Sequence, residues 1–454
     1  MTLTELRNFH EQPTLIALWQ KLLGPALRWL TPARRRLLLA VAAIWVAVRR
    51  PAKELSKNRD LLGAPPQLTI IPIVIVALFG LVLLAYFVAK RLRAMPAFVR
   101  KHPQICWHGV FWSLLISTWT THGANPLIRA ILIGCALGFP FILWRVGYML
   151  LSAERGKMQA TRFVDHLFYI FPVWRGTDTP YGKGHDYLSA NEARDPGELA
   201  KSQLAGIKLF LLAALWSLAK YALDAVVFAE EPFFGIAAQL PVTVPHVGKL
   251  IANPGEYPRW LSWIALYVDL VSNVLSLAIK GHVIIGWLRM FGFNVFCNTY
   301  RPLLAETVVE FWNRYYYYFK ELLVNFFFYP TFARYFKKQP RARIVFAVFA
   351  AAFAGNIYYH ALELDWALIA GDFPRMWTAL ASRVFYCFLL ATGISVSMLR
   401  QRGPAARAKR PLARRIVAIF GVWTFFSILH IWSRAHPAPF STRMEFFLRL
   451  VGIA

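Results

Sequence analysis

Long apolar blocks broken by short basic links constrain this chain more than any other feature it has. Residues 69–88, 105–120, 127–151, 204–229, 261–288, 344–362, 376–399 and 416–432 each approach or exceed the roughly 20 residues that cross a hydrocarbon layer as a helix. Lipid offers the backbone no hydrogen-bond partner, so spanning segments of this length are helices. Hydrophobic residues make up 57% of the 454 and charged residues only 16%. A water-soluble domain runs nearer about 45–50% and 25%. The sequence therefore predicts an all-α, polytopic integral membrane protein.

Lysine and arginine number 51 against 23 acidic residues, a formal net charge of +28. Nucleic-acid binding is one source of such a surplus. Here the basic residues cluster in the links between apolar runs, as the bias of membrane proteins toward positive cytoplasmic loops requires, so no nucleic-acid partner is expected. Residues 90–101, 334–343 and 400–415 read as cytoplasmic; an even number of spans must separate the last two links, and the sequence supplies one hairpin. A basic face of this kind also concentrates anionic lipids and anionic donors. Residues 1–68 read as an amphipathic, interfacial segment, with 37–48 too short to cross and flanked by arginines, and 51–67 as a polar connector. Residues 69–454 then form a single multi-spanning domain. The four cysteines, Cys106, Cys135, Cys297 and Cys387, have no ligand spacing and read as buried thiols, so no metal and no cofactor are expected.

Polar residues inside this apolar background mark where function is to be sought. Residues 173–203 form the longest hydrophilic loop, read as a connector whose Gly176, Gly182 and Gly184 would let the backbone approach a ligand, with Pro180 among them. His108 and His122 lie near predicted ends and read as interfacial. The 261–288 run carries Asp269, Ser272, Asn273, Ser276 and Lys280 at spacings that put them on one helical face, with His282 beyond. Residues 287–360 hold the densest mixture: Asn298, Arg301-Pro302, Phe311-Trp312-Asn313-Arg314, a run of four tyrosines from Tyr315 to Tyr318, and His360 deep in an apolar helix after Asn356.

In their order these motifs resemble the membrane-bound O-acyltransferase family, in its alginate O-acetyltransferase and teichoic-acid D-alanyl transfer branch. Gly292-Phe293 matches a turn, Asn298 with Arg301-Pro302 the next element, and residues 311–314 the start of a Phe-Trp-x-Arg motif. Pro330 falls at that motif's ending, His360 matches a tryptophan-histidine helix, and residues 165–180 are similar to an upstream Phe-Pro and Gly-Pro loop. The likeness covers about residues 165–365. Tyr316 stands where the family has a histidine, Tyr315 where it has a tryptophan, Asn325 in place of an acidic residue, and Ala361 in place of glycine.

The resemblance implies a ring of transmembrane helices around a central tunnel, with re-entrant helices carrying residues 289–330. It implies an acyl group moved from a thioester donor, acyl-CoA or acyl carrier protein, to a hydroxyl of a glycan, lipid or secondary metabolite. Such proteins work in the cell envelope, in the inner membrane, beside membrane lipid and an extracytoplasmic partner, in polysaccharide O-acetylation. His360 is then the general base, since an imidazole's ordinary pKa of about 6.5 suits proton transfer near neutrality. Tyr316 and Asn313 are expected as hydrogen-bond donors in catalysis, and Arg314, Trp312, Asn298 and Asn356 as donor-binding residues. Two other readings stay open: an inactive scaffold of an envelope complex, suggested by Tyr316, and a transporter or flippase, suggested by the polar 269–280 face.

Overall fold

The computed structural model describes residues 8–62, 67–121, 123, 125–174, 179–228, 243–400, 411–433 and 438–453. Among these the chain is helical, and its only extended pairing is a lone bridge between Glu192 and Phe293. Seven helices are long and apolar enough to cross a membrane: Thr69–Lys90, Pro126–Glu154, Pro196–Phe228, Arg259–Met290, Pro340–Leu362, Phe373–Leu399 and Leu412–His430. The expectation of an all-helical, polytopic membrane protein is met. The 105–120 run forms the helix Pro103–Thr120, which is not among the seven.

Packing divides the chain into two compact units: Met1–Leu209 with Ile284–Phe296 and Leu362–Phe373, and Phe210–Val283 with Cys297–Ala361 and Pro374–Ala454.

In the first unit, Gly134 and Gly138 are four residues apart on one face of Pro126–Glu154. A Cβ at Gly134 would lie 2.6 Å from Val74 Cγ2, and one at Gly138 would overlap Leu78. The pair of glycines lets two spans approach closely, a pattern that drives helix association in lipid. The polar connector expected at residues 51–67 is not found among its described residues as far as Leu62; residues 63–66 lie outside them. One helix runs through Pro32–Lys57, with Pro51 inside it. Leu39, Ala43, Ala47, Pro51 and Leu55 recur every fourth residue and are all buried, so the stripe they form outweighs the hydrogen bond the proline removes.

The 173–203 loop is likewise no solvated connector. Trp174, Thr179, Tyr181 and His185 are buried, and the wholly buried Arg145 of the Pro126–Glu154 span donates to the Thr179 carbonyl at 3.5 Å as well as to that of Tyr169 before the loop at 3.0 Å. Further upstream, ahead of the short helix Val164–Ile170, Lys90 donates to three carbonyls, those of Met158, Gln159 and Thr161. Gly182 (φ +79°) and Gly184 do allow close approach, but to Leu188 and Tyr148 of the chain itself; Gly176 lies outside the described residues. His122 is also outside them, and His108 packs its ring 5.1 Å from Trp144.

The second unit holds the residues singled out between 298 and 360. Its hydrophobic core gathers Leu261, Ala265 and Leu266 of Arg259–Met290 with Ile431, Trp432, Phe446 and Leu450. Gly292-Phe293 and residues 165–180 belong to the first unit.

Candidate functional site: an aromatic shelf beneath His360

A helix start fixes the site's first element. Thr307 accepts the Glu310 amide at 3.2 Å, and the Glu310 carboxylate accepts the Glu306 amide at 2.9 Å, a Thr-x-x-Glu cap that opens the helix Val308–Tyr315. Phe311 and Trp312 face inward, Phe311 stacking on Phe426 with ring centroids 3.8 Å apart. The helix stops at Tyr316, whose backbone (φ −137°, ψ 77°) is not helical, and a second helix begins at Tyr317.

The break is held from outside by residues 298–300. The Asn298 carbonyl accepts Tyr317 N–H at 2.9 Å, and its side-chain oxygen accepts Tyr318 N–H at 3.3 Å. Tyr300 N–H in turn donates to the Arg314 carbonyl at 2.8 Å, and the Thr299 hydroxyl to the Tyr315 carbonyl at 3.0 Å. Backbone groups that a continuous helix would have paired internally are thus satisfied, as burial demands. Asn298 fits there because Gly281 has no side chain: a Cβ would meet Asn298 Cβ at 2.9 Å.

Beyond the break, Tyr317–Leu323 widens into a π-turn at Val324–Phe328 before Tyr329–Arg334. Pro330 lacks the N–H that an α-turn would return to Phe326, and the wide turn just before it takes up that change of register. A second π-turn, Phe349–Gly355, interrupts the Pro340–Leu362 span just before Asn356. The two wide turns pack together through Gly355, where a Cβ would sit 2.6 Å from the Phe327 ring. This contact sets where the last turn of the span, Asn356–Leu362, lies.

That turn brings His360 to Phe319, with ring centroids 6.0 Å apart. Phe319 is the centre of a shelf: Tyr316 lies 5.5 Å from it, Trp312 6.1 Å and Tyr359 4.7 Å. Asn356 precedes His360 by four residues and so shares its helix face. Asn356 is 1% exposed, and neither end of its amide has a hydrogen-bond partner among the described residues. The Asn298 amide nitrogen is buried and unpartnered in the same way. A buried amide without a partner costs about 1–3 kcal/mol, which singles out both as candidate groups for holding a polar ligand.

The structure thus gathers His360, Tyr316 and Trp312 around one ring, places Asn356 beside His360, and puts Asn298 under the break that presents Tyr316. Asn313 and Arg314 leave the short helix on its other side. Asn313 is exposed, and Arg314 is paired with Glu310 and donates to the Arg301 carbonyl at 3.4 Å. On the polar face of Arg259–Met290, Lys280 is exposed and His282 buried. Phe319, the hub, gave no signal in the sequence, being one phenylalanine among 36. His430, which meets Asp269 at 3.0 Å, was missed too, although a histidine ending an apolar run is the kind of residue that lipid makes expensive. No protein-family model matches the chain, and no curated protein sequence matches it.

Proposed function

We propose that the chain is a membrane-bound O-acyltransferase of the cell envelope, with His360 as general base, Tyr316 and Asn356 as hydrogen-bond donors, and Trp312 and Asn298 lining the donor site. One observation carries the reading: His360 and Tyr316 both lie against the Phe319 ring, with the buried Asn356 amide, unpartnered among the described residues, one turn from His360 on the same face. An imidazole, a phenol and an amide brought to one apolar place are the parts acyl transfer needs.

In this reading the His360 imidazole takes the proton of an acceptor hydroxyl as that oxygen attacks the thioester carbonyl carbon. Negative charge grows on the carbonyl oxygen, and fixed N–H and O–H groups at Asn356 and Tyr316 meet it without reorganising. When the C–S bond breaks, the thiolate leaves and takes the proton back from the imidazolium, so the residues end as they began. Tyrosine holds its proton near neutrality and acts only as donor. The expected ring of spans around a tunnel, the inner-membrane location, a donor of acyl-CoA or acyl carrier protein type and an extracytoplasmic partner form part of the same proposal.

The test is acyl transfer by membranes carrying the wild-type chain or His360→Ala, supplied with radiolabelled acetyl-CoA or longer acyl-CoAs and an envelope extract. General-base catalysis contributes about 10²–10⁴-fold, so transfer should fall by at least that lower figure while expression is unchanged. Transfer that survives the substitution would remove His360 from the mechanism.

A further inference from the structure

The second unit holds another imidazole with a carboxylate behind it. His430 is the last residue of the Leu412–His430 span, and its Nδ1 lies 3.0 Å from Asp269 Oδ2 on Arg259–Met290. Asn273, one turn beyond Asp269, donates to both the Asp269 carbonyl and Oδ2, each at 2.9 Å, and so fixes the carboxylate's direction. A carboxylate accepts only, so Nδ1, which also has the Asn273 amide nitrogen 3.4 Å away, carries the hydrogen in this bond, and in the neutral ring the lone pair falls on Nε2. His430 is 8% exposed, and its Nε2 makes no hydrogen bond among the described residues. A fixed, nearly buried acceptor with no acceptor's partner is a binding element for an O–H or N–H group.

Its position relates it to the shelf within the same unit. Phe426, four residues before His430 on the same span, stacks on Phe311 with ring centroids 3.8 Å apart. Phe311 and the shelf's Trp312 are consecutive, and Trp312 lies 6.1 Å from Phe319, so the span that ends in His430 packs on the short helix that carries the shelf. His430 also ends its span about 22 Å along the helix from Arg415, the last residue of the basic link at 400–415, at the end facing away from the cytoplasm by the charge rule. His360 likewise lies toward the end of its span remote from a basic link.

We propose that Asp269 and His430 form an acceptor-binding site that receives a second hydroxyl of a polyhydroxylated acceptor, such as a glycan or a polyol headgroup, through Nε2. This rests on the acyl-transfer reading for the identity of the reacting hydroxyl at His360. A polyol with two hydroxyls engages both histidines, whereas a simple alcohol engages one.

The experiment compares octyl glucoside with 1-octanol on the full chain in nanodiscs, as acyl acceptors and as ligands followed by saturation-transfer NMR. In wild type the glucoside should bind and react with the lower KM. His430→Leu should raise the glucoside KM at least tenfold while leaving the acyl-donor KM and the octanol KM unchanged. Asp269→Asn, which keeps the packing, should produce a shift in the same direction, and His430→Gln serves if the leucine variant does not fold. A merely structural role would affect both acceptors alike, and that result, or an unchanged glucoside KM, would overturn the proposal. If wild type transfers no acyl group, the NMR still decides. A preference for the glucoside that His430→Leu abolishes keeps this site and discards the acyltransferase, and no preference discards the site. Transfer that depends on His360 but ignores His430 would discard the site alone.

Discussion

At the scale of single residues, His166 gives the clearest dependence on pH. It is wholly buried in the first unit, its Nε2 2.8 Å from the Thr161 hydroxyl and its Nδ1 3.1 Å from the Tyr169 hydroxyl. Thr161 spends its one hydrogen on the Met158 carbonyl at 2.9 Å, so its oxygen accepts from Nε2–H. Nδ1 then accepts the Tyr169 hydrogen, which burial holds firmly in place by raising the tyrosine's pKa well above its usual value. Both ring nitrogens are satisfied by the neutral tautomer, and a further proton would break the Tyr169 bond. Burial, then the neighbouring His185, push the His166 pKa down to about 3. A folded value below the unfolded one means that the unfolded chain takes the proton first. Stability from this residue is therefore complete above about pH 6.5 and falls as pH drops toward 3, by about 2 kcal/mol at pH 5. Thermal unfolding of the purified chain should show a midpoint that declines from pH 7.5 to 5, and His166→Asn should flatten that decline. An equal decline in the variant would assign it to other groups, His185 first, since burial and Arg36 lower its pKa as well.

At the scale of elements, the two π-turns position the site. Wide turns cost hydrogen-bond quality and persist where something requires them. Here Val324–Phe328 and Phe349–Gly355 meet at Gly355 and Phe327, and the second of them delivers Asn356 and His360. Gly355→Ala puts a methyl where the Phe327 ring already sits, 2.6 Å away. Overpacking of this kind costs about 1–3 kcal/mol. The variant should melt earlier and, under the acyltransferase proposal, lose acyl transfer although it touches no reacting group, and Phe327→Val added to it should restore both. Failure of that double variant to recover either property would mean the turn–turn contact does not set the His360 position. The sequence carried part of this element: Thr307 and Glu310 announce the helix start, and Pro330 the disturbance after it. The π-turns themselves have no signature, because they arise from how two neighbouring helices accommodate each other.

At the scale of the whole molecule, the spans agree with the basic links at 334–343 and 400–415 but not with all three: three of the seven spans separate residues 90–101 from 334–343, so those two links share a side only if Pro103–Thr120 crosses as well. Lys337 precedes Pro340–Leu362, Arg400 follows Phe373–Leu399, and Ser441 lies beyond Leu412–His430. Two crossings separate the first pair and one crossing separates Arg400 from Ser441. With the native cysteines replaced by serine, a single cysteine at Ser441 should react with a membrane-impermeant maleimide in intact cells. Cysteines at Lys337 or Arg400 should react only after permeabilisation. Labelling of Lys337 and Arg400 from opposite sides would break the hairpin between them.

The sequence by itself determined the class of protein. Apolar run length and charge placement are one-dimensional quantities, and lipid converts them into helices and sidedness with little room for choice. It also marked His360, Asn356, Asn298, Trp312 and Tyr316, because polar and aromatic residues in an apolar setting stand out wherever they occur. Only the tertiary structure decided which of them meet. Asn313 and Arg314 lie next to Trp312 in sequence but on the other side of an eight-residue helix, whereas Phe319 and Tyr359 are 40 residues apart and in contact. The same reason hid the Arg145 anchor of the 173–203 loop at Thr179 and the pairing of Asp269 with His430. Each is a bond between distant segments, and its energy depends on a shared burial that no local pattern encodes.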